Sequence, residues 1–235
     1  TTPIPREKVP AFGILKVEED LRITEFVEKP PASRNIDHLK IPPGARPGAR
    51  PGGERRMEGK EFLASMGIYI FDAKILEQAL DNDFNDFGKE IIPLAIETMK
   101  VNAYIFDGFW EDIGTIKSFY ETNLNLASLT PAFNFYDEDM PIYTHRRHLP
   151  ATKVNFCTIS QSLAAEGSII TNASIVNSII GIRTLIESGA NIDGVVCLGA
   201  NYYETLEEKA LNRERGIPNI GIGGGSIIKR TIIDK

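Results

Sequence analysis

Apolar and polar positions follow two different rhythms along this chain. Phe12 to Lys16 is a short apolar run, and Ile23 to Val27 alternates apolar with polar; both predict strands, joined into a hairpin by a polar turn at Glu18-Glu19-Asp20. Phe62 to Phe71 is almost continuously apolar, which predicts a strand covered on both faces, as in an α/β sheet. Asp72 stands at an N-cap position before Ala73–Leu80, whose apolar residues have helical spacing. Glu90–Met99 predicts a second helix with Pro93 in its first turn, and Val101–Phe106 a further strand. Ile116–Ala127 predicts a helix presenting Ile116, Phe119, Tyr120 and Leu124 on one face.

The second rhythm begins at Val154. Leu163, Ile169 and Ile175 are spaced six apart, as are Ala164, Ile170, Val176 and Ile182; Ile180, Ile186, Ile192 and Leu198 follow after a phase shift. The same step links Ile222 to Ile228 and Ile227 to Ile233. Small or polar residues such as Ser168, Asn172, Asn177, Gly189 and Asn191 lie between them. No helix repeats every six residues. A coil of three short strands per turn does, because each flat side needs an inward apolar residue and each corner a small one. One rung cannot bury its inward face alone, so rungs must stack. Tyr202–Arg215 breaks the repeat with charge and predicts an excursion from one corner.

Two segments have neither rhythm. Residues 41–56 hold a tandem Gly-Ala-Arg-Pro repeat with Arg46, Arg50, Arg55 and Arg56, too rich in proline and glycine for a helix or strand interior. They suit a solvated insertion or an anion-binding lid. Residues 129–153 form a connector containing His145-Arg146-Arg147-His148, a solvated or anion-facing basic cluster rather than a metal site, because no carboxylate or cysteine stands at ligand spacing. The organisation expected is residues 1–128 as α/β domain, 129–153 as connector and 154–235 as a truncated β-helix.

Composition narrows the function classes. With 26 basic and 32 acidic side chains the net charge is −6, which excludes a strongly basic nucleic-acid binder. Two cysteines make no disulfide framework and fit a reducing compartment. No run of about 18 apolar residues predicts a membrane span.

Three places carry candidate chemistry. Lys29, between Glu28 and Pro30 at a strand end, can meet a phosphate as a point charge, or sit in a solvent-facing pair with Glu28. Ser65 and Gly67 interrupt the third strand, where glycine marks a close approach of backbone to ligand or a bulge. Asp112, in Trp110-Glu111-Asp112-Ile113-Gly114-Thr115, follows a strand and precedes a helix. It suits one oxygen ligand of Mg²⁺ completed by phosphates, or a cap of the next helix. The glycine-rich Gly221–Ser226 lacks the Gly-Lys-Ser/Thr of a phosphate loop and reads as a turn between rungs.

Taken in order, Phe-Gly-Ile-Leu-Lys, Glu-Phe-Val-Glu-Lys-Pro, Leu-Ala-Ser-Met-Gly-Ile-Tyr-Ile-Phe, Asp-Phe-Gly-Lys-Glu-Ile-Ile-Pro, Phe-Trp-Glu-Asp-Ile-Gly-Thr and Ile-Ile-Asp-Lys resemble the glucose-1-phosphate adenylyltransferases (ADP-glucose pyrophosphorylases) of cyanobacterial and plant type. The resemblance spans nearly the whole chain apart from the arginine-rich insertion. It implies part of a Rossmann-like nucleotidyltransferase domain followed by a left-handed parallel β-helix. It also implies the reaction of ATP with glucose 1-phosphate to give ADP-glucose and pyrophosphate, assisted by Mg²⁺. By the same resemblance Lys29 binds the sugar phosphate, Glu28 accepts from sugar hydroxyls, Ser65 lines the sugar pocket and Asp112 holds the metal. Asp234 and Lys235 belong to a site for phosphate or 3-phosphoglycerate-type effectors. A homo- or heterotetramer, in bacterial cytoplasm or plastid stroma, is implied as well. The nucleotide loop and the first metal aspartate of that family have no counterpart in the chain, which therefore reads as a piece of a larger enzyme, inactive alone. Lys29 and Asp112 are expected to converge on one pocket. A catalytically weak regulatory subunit and a hexapeptide-repeat acyltransferase are the alternatives; against the latter, all three histidines precede the coil.

Overall fold

Short apolar runs near the start of the chain make three strands, β1 (Thr2–Ile4), β2 (Ile14–Val17) and β3 (Ile23–Val27). The expected hairpin is present: Ile14 lies opposite Val27 and Leu15 opposite Phe26, and the Arg22 N–H donates to the Asp20 carboxylate in the reversal. β4 (Phe62–Ala64) completes a sheet of order β1-β4-β2-β3, antiparallel at every pairing. Successive residues of a strand face opposite ways. Leu15 and Leu63 therefore join one apolar cluster with Ile92 and Ile96, while Ile14 and Phe62 join another with Val9, Val27 and Leu39. The computed structural model describes residues 1–45 and 59–234, and two compact units, Thr1–Trp110 and Glu111–Lys235. The arginines of the insertion and Lys235 lie outside the described residues.

Helix α1 (Ala73–Leu80) begins where the sequence places it, with the Asp72 carboxylate accepting from the Lys74 N–H. Helix α2 (Ile92–Thr98) carries Pro93 in its first turn, as expected, and is preceded by one wide π turn over Phe87–Ile91. Two strand expectations fail. The strand drawn over Phe62–Phe71 ends at Ala64: the chain bends at Gly67, where φ is 69°, and Ile68 and Ile70 are left exposed. An apolar run predicts burial on both faces only if something covers both faces, and among the described residues nothing covers Ile68 and Ile70. Among the described residues Val101–Phe106 forms no strand, only one bridge, Asn102 to Arg22.

In the second unit, Thr115 and Ser118 cap helix α3 (Ile116–Leu126) reciprocally. Phe119, Tyr120 and Leu124 are half-buried, but Ile116 of the expected apolar face is exposed. The Tyr120 hydroxyl donates to the Gly194 carbonyl at 2.6 Å and ties the helix to the coil that follows. Residues 129–152 contain no helix or strand.

The coil is a parallel β-helix. Its strands are β5 (Lys153–Asn155), β6 (Thr158–Ser160), β7 (Leu163–Ala164), β8 (Ile169–Thr171), β9 (Ser174–Val176), β10 (Ile179–Ile180), β11 (Leu185–Ile186), β12 (Asn191–Cys197) and β13 (Ile227–Ile233). Every pairing among them is parallel. Lys153 lies beside Ile169 and Ile169 beside Leu185, a turn of 16 residues; Ser174 lies beside Asn191, a turn of 17. Three steps of six would give 18, so the strict six-residue repeat is corrected. The fully buried inward residues are Ile170, Ile175, Ile180, Ile186 and Ile192, spaced five, five, six and six. The corners explain the spacing. Asn172 and Asn177 each turn a corner alone, at φ of 44° and 45°, and those steps take five residues. The corners at Ile182-Arg183 and Ser188-Gly189 are two-residue turns, and those steps take six. Asparagine suits the single-residue corner because it enters the left-handed region at low cost.

Between β12 and β13 the chain leaves the coil and returns. Helix α4 (Leu206–Arg215) fills this excursion, capped reciprocally by Thr205 and Glu208. The Glu204 carboxylate closes its base, accepting from Asn212 Nδ2 at 2.6 Å and from the Ile220 N–H at 2.7 Å.

Candidate active site

The geometry of the first sheet gathers the candidate residues. β3 and β4 both run antiparallel to β2, so the ends of β3 and β4 flank the start of β2. Glu28 and Lys29 follow β3, Ser65 follows β4, and Gly13 precedes β2. The backbone ties them together: the Lys29 N–H donates to the Phe12 carbonyl at 3.1 Å and the Ser65 N–H to the Gly13 carbonyl at 2.8 Å. Glu28, Lys29 and Ser65 thus stand at one end of one sheet.

Lys29 has a positive φ of 42°, uncommon for a non-glycine residue, and is followed by fully buried Pro30. Its ammonium lies 4.0 Å from the Glu28 carboxylate; the side chains are 62% and 30% exposed, respectively. A pair this long and this wet holds the ammonium weakly, so it is free to meet an anion. The Glu28 carboxylate sits between two glycines. A Cβ on Gly13 would lie 2.8 Å from Glu28 Oε2 and 2.4 Å from Phe26 Cζ; a Cβ on Gly88 would lie 3.3 Å from the same oxygen.

Three residues given no role from sequence complete the rim. Tyr69 Oη lies 3.2 Å from Ser65 Oγ, which also accepts from the Gly67 N–H. Tyr69 stacks on Phe87 with ring centroids 6.0 Å apart. Asp86 caps the turn that follows it, accepting from the Lys89 N–H at 2.9 Å, while Glu90 accepts from the N–H groups of Asn85 and Asp86. The Lys89 N–H holds the Asp86 carboxyl below the usual carboxylate range. The string Asp-Phe-Gly-Lys-Glu was the available signal, but spacing alone does not bring it to Glu28; the packing of Gly88 does.

Asp112 and Asp234 lie in the second unit. Asp112 is exposed ahead of the Thr115 cap, so it is not the cap of α3 itself; a Cβ on Gly114 would lie 2.9 Å from its Oδ2. Beside it Ile113, Ile116, Phe119 and Ile232 line a mostly apolar cleft of about 500 Å³. Among the described residues no three His, Cys, Asp or Glu side chains are grouped to hold a metal. Asp112 fits Mg²⁺ only as a single hard-oxygen ligand with the rest of the shell supplied by phosphates and water, which is how that ion is commonly held. Asp234 is exposed just past β13.

The first unit thus combines a four-stranded antiparallel sheet with short helices, and the second carries a parallel β-helix. Family comparison agrees. The Nucleotidyl transferase model matches residues 1–128, and the GLGC left-handed parallel beta-helix model matches residues 147–235. The chain belongs to the nucleotidyl transferase family, and its coil is of the left-handed GLGC type. Among curated relatives, it is 43% identical over 238 residues to the glucose-1-phosphate adenylyltransferase small subunit, chloroplastic/amyloplastic, of Triticum aestivum. The alignment covers 99% of this chain and 49% of that protein, so the chain spans about half the length of this relative. No helix among the described residues is long and apolar enough to cross a membrane.

Proposed function

We propose that this chain supplies the sugar-phosphate site and the β-helix of a glucose-1-phosphate adenylyltransferase, which joins ATP and glucose 1-phosphate into ADP-glucose and pyrophosphate. The observation that carries the reading is the meeting of Glu28, Lys29 and Ser65 at one sheet end in a chain 43% identical to an enzyme of that name. The Lys29 ammonium binds the phosphate of glucose 1-phosphate. Glu28 accepts from sugar hydroxyls, and Ser65, buttressed by Tyr69, lines the sugar pocket. A phosphate oxygen of the sugar ester attacks the α-phosphorus of ATP, the bond to the bridging oxygen breaks, and pyrophosphate leaves with that electron pair. Positioning and charge neutralisation do most of this work, because no covalent enzyme intermediate is needed. Asp112 would hold Mg²⁺ in part, and that ion would supply charge neutralisation at the phosphates when bound. Asp234 with Lys235 takes phosphate or 3-phosphoglycerate-type effectors. The assembly is a homo- or heterotetramer in cytoplasm or plastid stroma.

The test is ligand discrimination. Glucose 1-phosphate and inorganic phosphate are titrated into wild type, Lys29→Ala and Ser65→Ala by phosphorus NMR. Losing one charge-assisted bond costs about 1.5–3 kcal/mol, or about 10- to 150-fold in affinity. Lys29→Ala should lose that much for both ligands, and Ser65→Ala should weaken the sugar ester alone. Lys29→Ala binding both as tightly as wild type removes the assignment.

A further inference from the structure

We propose that Gly88, together with Gly13, is a positioning residue: by carrying no side chain it leaves the Glu28 carboxylate its place, and so sets how the sugar ester is held. The two oxygens of that carboxylate have different surroundings. Oε1 lies 4.0 Å from the Lys29 ammonium. Oε2 faces the two glycines, where a Cβ on Gly13 would lie 2.8 Å from it and a Cβ on Gly88 3.3 Å. Gly13 precedes β2 and Gly88 stands in the wide π turn Phe87–Ile91, so two separate elements bracket one carboxylate. Neither glycine has a left-handed φ, so the backbone conformation does not demand glycine at either position. What each residue provides is space.

Which group yields to a side chain at position 88 follows from how each neighbour is held. The added Cβ would also lie 3.5 Å from Asp86 Oδ1, but that oxygen accepts from the Lys89 N–H at 2.9 Å and caps the turn. The Glu28 carboxylate is the far end of a flexible side chain, 30% exposed and in a long ion pair. Glu28 therefore moves and Asp86 stays. A shift of a few tenths of an ångström misaligns a hydrogen bond to a ligand while costing the fold little. Gly13 differs in this respect. A Cβ there would lie 2.4 Å from Phe26 Cζ, and Phe26 packs against the cluster around Leu15 and Leu63, so crowding at Gly13 reaches the core as well. A π turn widens a helix by one residue and is found frequently at functional sites. Here the wide turn brings a residue without a side chain up to Glu28. The consequence for binding rests on the sugar assignment of Glu28 proposed above; the placement of its carboxylate does not.

The probe is Gly88→Ala in the 235-residue chain. Carbon NMR of ligand-free protein labelled at glutamate Cδ reads the carboxylate directly, with the Glu28 resonance assigned by its loss in Glu28→Gln. That resonance should shift in Gly88→Ala while the Tm stays that of wild type. Glucose 1-phosphate and inorganic phosphate are then titrated and followed by phosphorus NMR. Gly88→Ala should bind the sugar ester about three- to ten-fold more weakly, the cost of weakening one hydrogen bond, and phosphate as wild type does. In a Glu28→Ala background the same substitution should cost nothing further, because the group it acts through is gone. Gly13→Ala should repeat the loss for the ester with a lowered Tm. The inference is overturned if the Glu28 resonance stays in place, if Gly88→Ala loses its fold, or if both ligands weaken alike. It is also overturned if the loss persists without Glu28, or if Glu28→Ala weakens the ester and Gly88→Ala does not. A Glu28 resonance that moves in a chain whose wild type binds neither ligand supports the placement of the carboxylate and removes the sugar-phosphate assignment instead.

Discussion

Three glycines in the coil separate backbone strain from steric clash. At Gly189 φ is 84°, but a Cβ there would come no nearer than 3.4 Å to Gly225 N. At Gly181 φ is not in the left-handed region, yet a Cβ would lie 2.4 Å from the carbonyl carbon of Leu198. At Gly199 both conditions hold: φ is 87°, and a Cβ would lie 2.4 Å from the Ile182 carbonyl oxygen. The atoms in the way at Gly181 and Gly199 belong to the backbone of the adjoining turn. That backbone is fixed by the bonds from Gly181 N–H to the Cys197 carbonyl and from Ala200 N–H to the Ile182 carbonyl. Gly189→Ala should cost about 1–2 kcal/mol, the price of placing an L side chain in the left-handed region. Gly181→Ala should cost about 1–3 kcal/mol through overpacking. Gly199→Ala should cost about 2–5 kcal/mol, because the two effects act at one residue. Urea unfolding followed by far-ultraviolet circular dichroism measures all three, with unchanged slopes confirming that the unfolded state is not altered. The reasoning fails if Gly199→Ala unfolds with wild type, or if Gly189→Ala is the most damaging of the set.

Two further outcomes follow from single contacts. Glu204→Gln keeps the size of the residue that closes the α4 excursion but removes the charge, so amides at Ile220 and within α4 should exchange faster while the coil's global unfolding is little changed; equal loss in both would contradict a local latch. For Asp86, the folded pKa lies below the ordinary value, so its contribution to stability is present above about pH 4 and is lost as pH falls through the lowered folded value. The gap in Tm between wild type and Asp86→Ala should therefore be widest near neutrality and close in strong acid, and a gap independent of pH would refute the cap.

How far the sequence reaches can be seen in particular elements. The hairpin, α1 with its Asp72 cap, and the three-sided coil were legible because local rules decide them: alternation, a capping carboxylate, and apolar residues returning at short intervals. The coil's spacing was less so. A six-residue step is the average signature of such a coil, whereas the number of residues per side depends on how each corner is turned. Asn172 and Asn177 turn theirs in one residue; asparagine permits that turn, but its presence does not by itself fix the number of residues on each side. Gly67–Phe71 misled for the opposite reason. Its apolar run states what a strand needs, while exposure states what the described residues supply, and only the sequence half of that comparison is available from pattern alone. In the candidate site, Lys29 and Ser65 could be singled out by local context, but Tyr69, Asp86 and Phe87 could not, because their relevance lies in packing across the sheet end.

Topology accounts for which candidate residues meet. In an antiparallel trio the two outer strands run the same way, so whatever follows each of them must face the start of the middle one. Glu28-Lys29 and Ser65 are distant in sequence, yet one pair of backbone bonds to Phe12 and Gly13 sets both in place. Their arrangement therefore depends on β2, β3 and β4 and on little else. Asp112 is placed by different means, on a loop that leads into α3, whose Tyr120 is anchored to the coil at Gly194. The residues assigned to the sugar phosphate and the residue assigned to the metal are thus organised by separate hydrophobic cores, one built around Leu15 and Leu63 and the other around Ile175 and Ile192. Within the proposed reaction this divides the labour by unit: holding the sugar ester belongs to the sheet end, and the metal-binding carboxylate belongs to the unit that carries the coil.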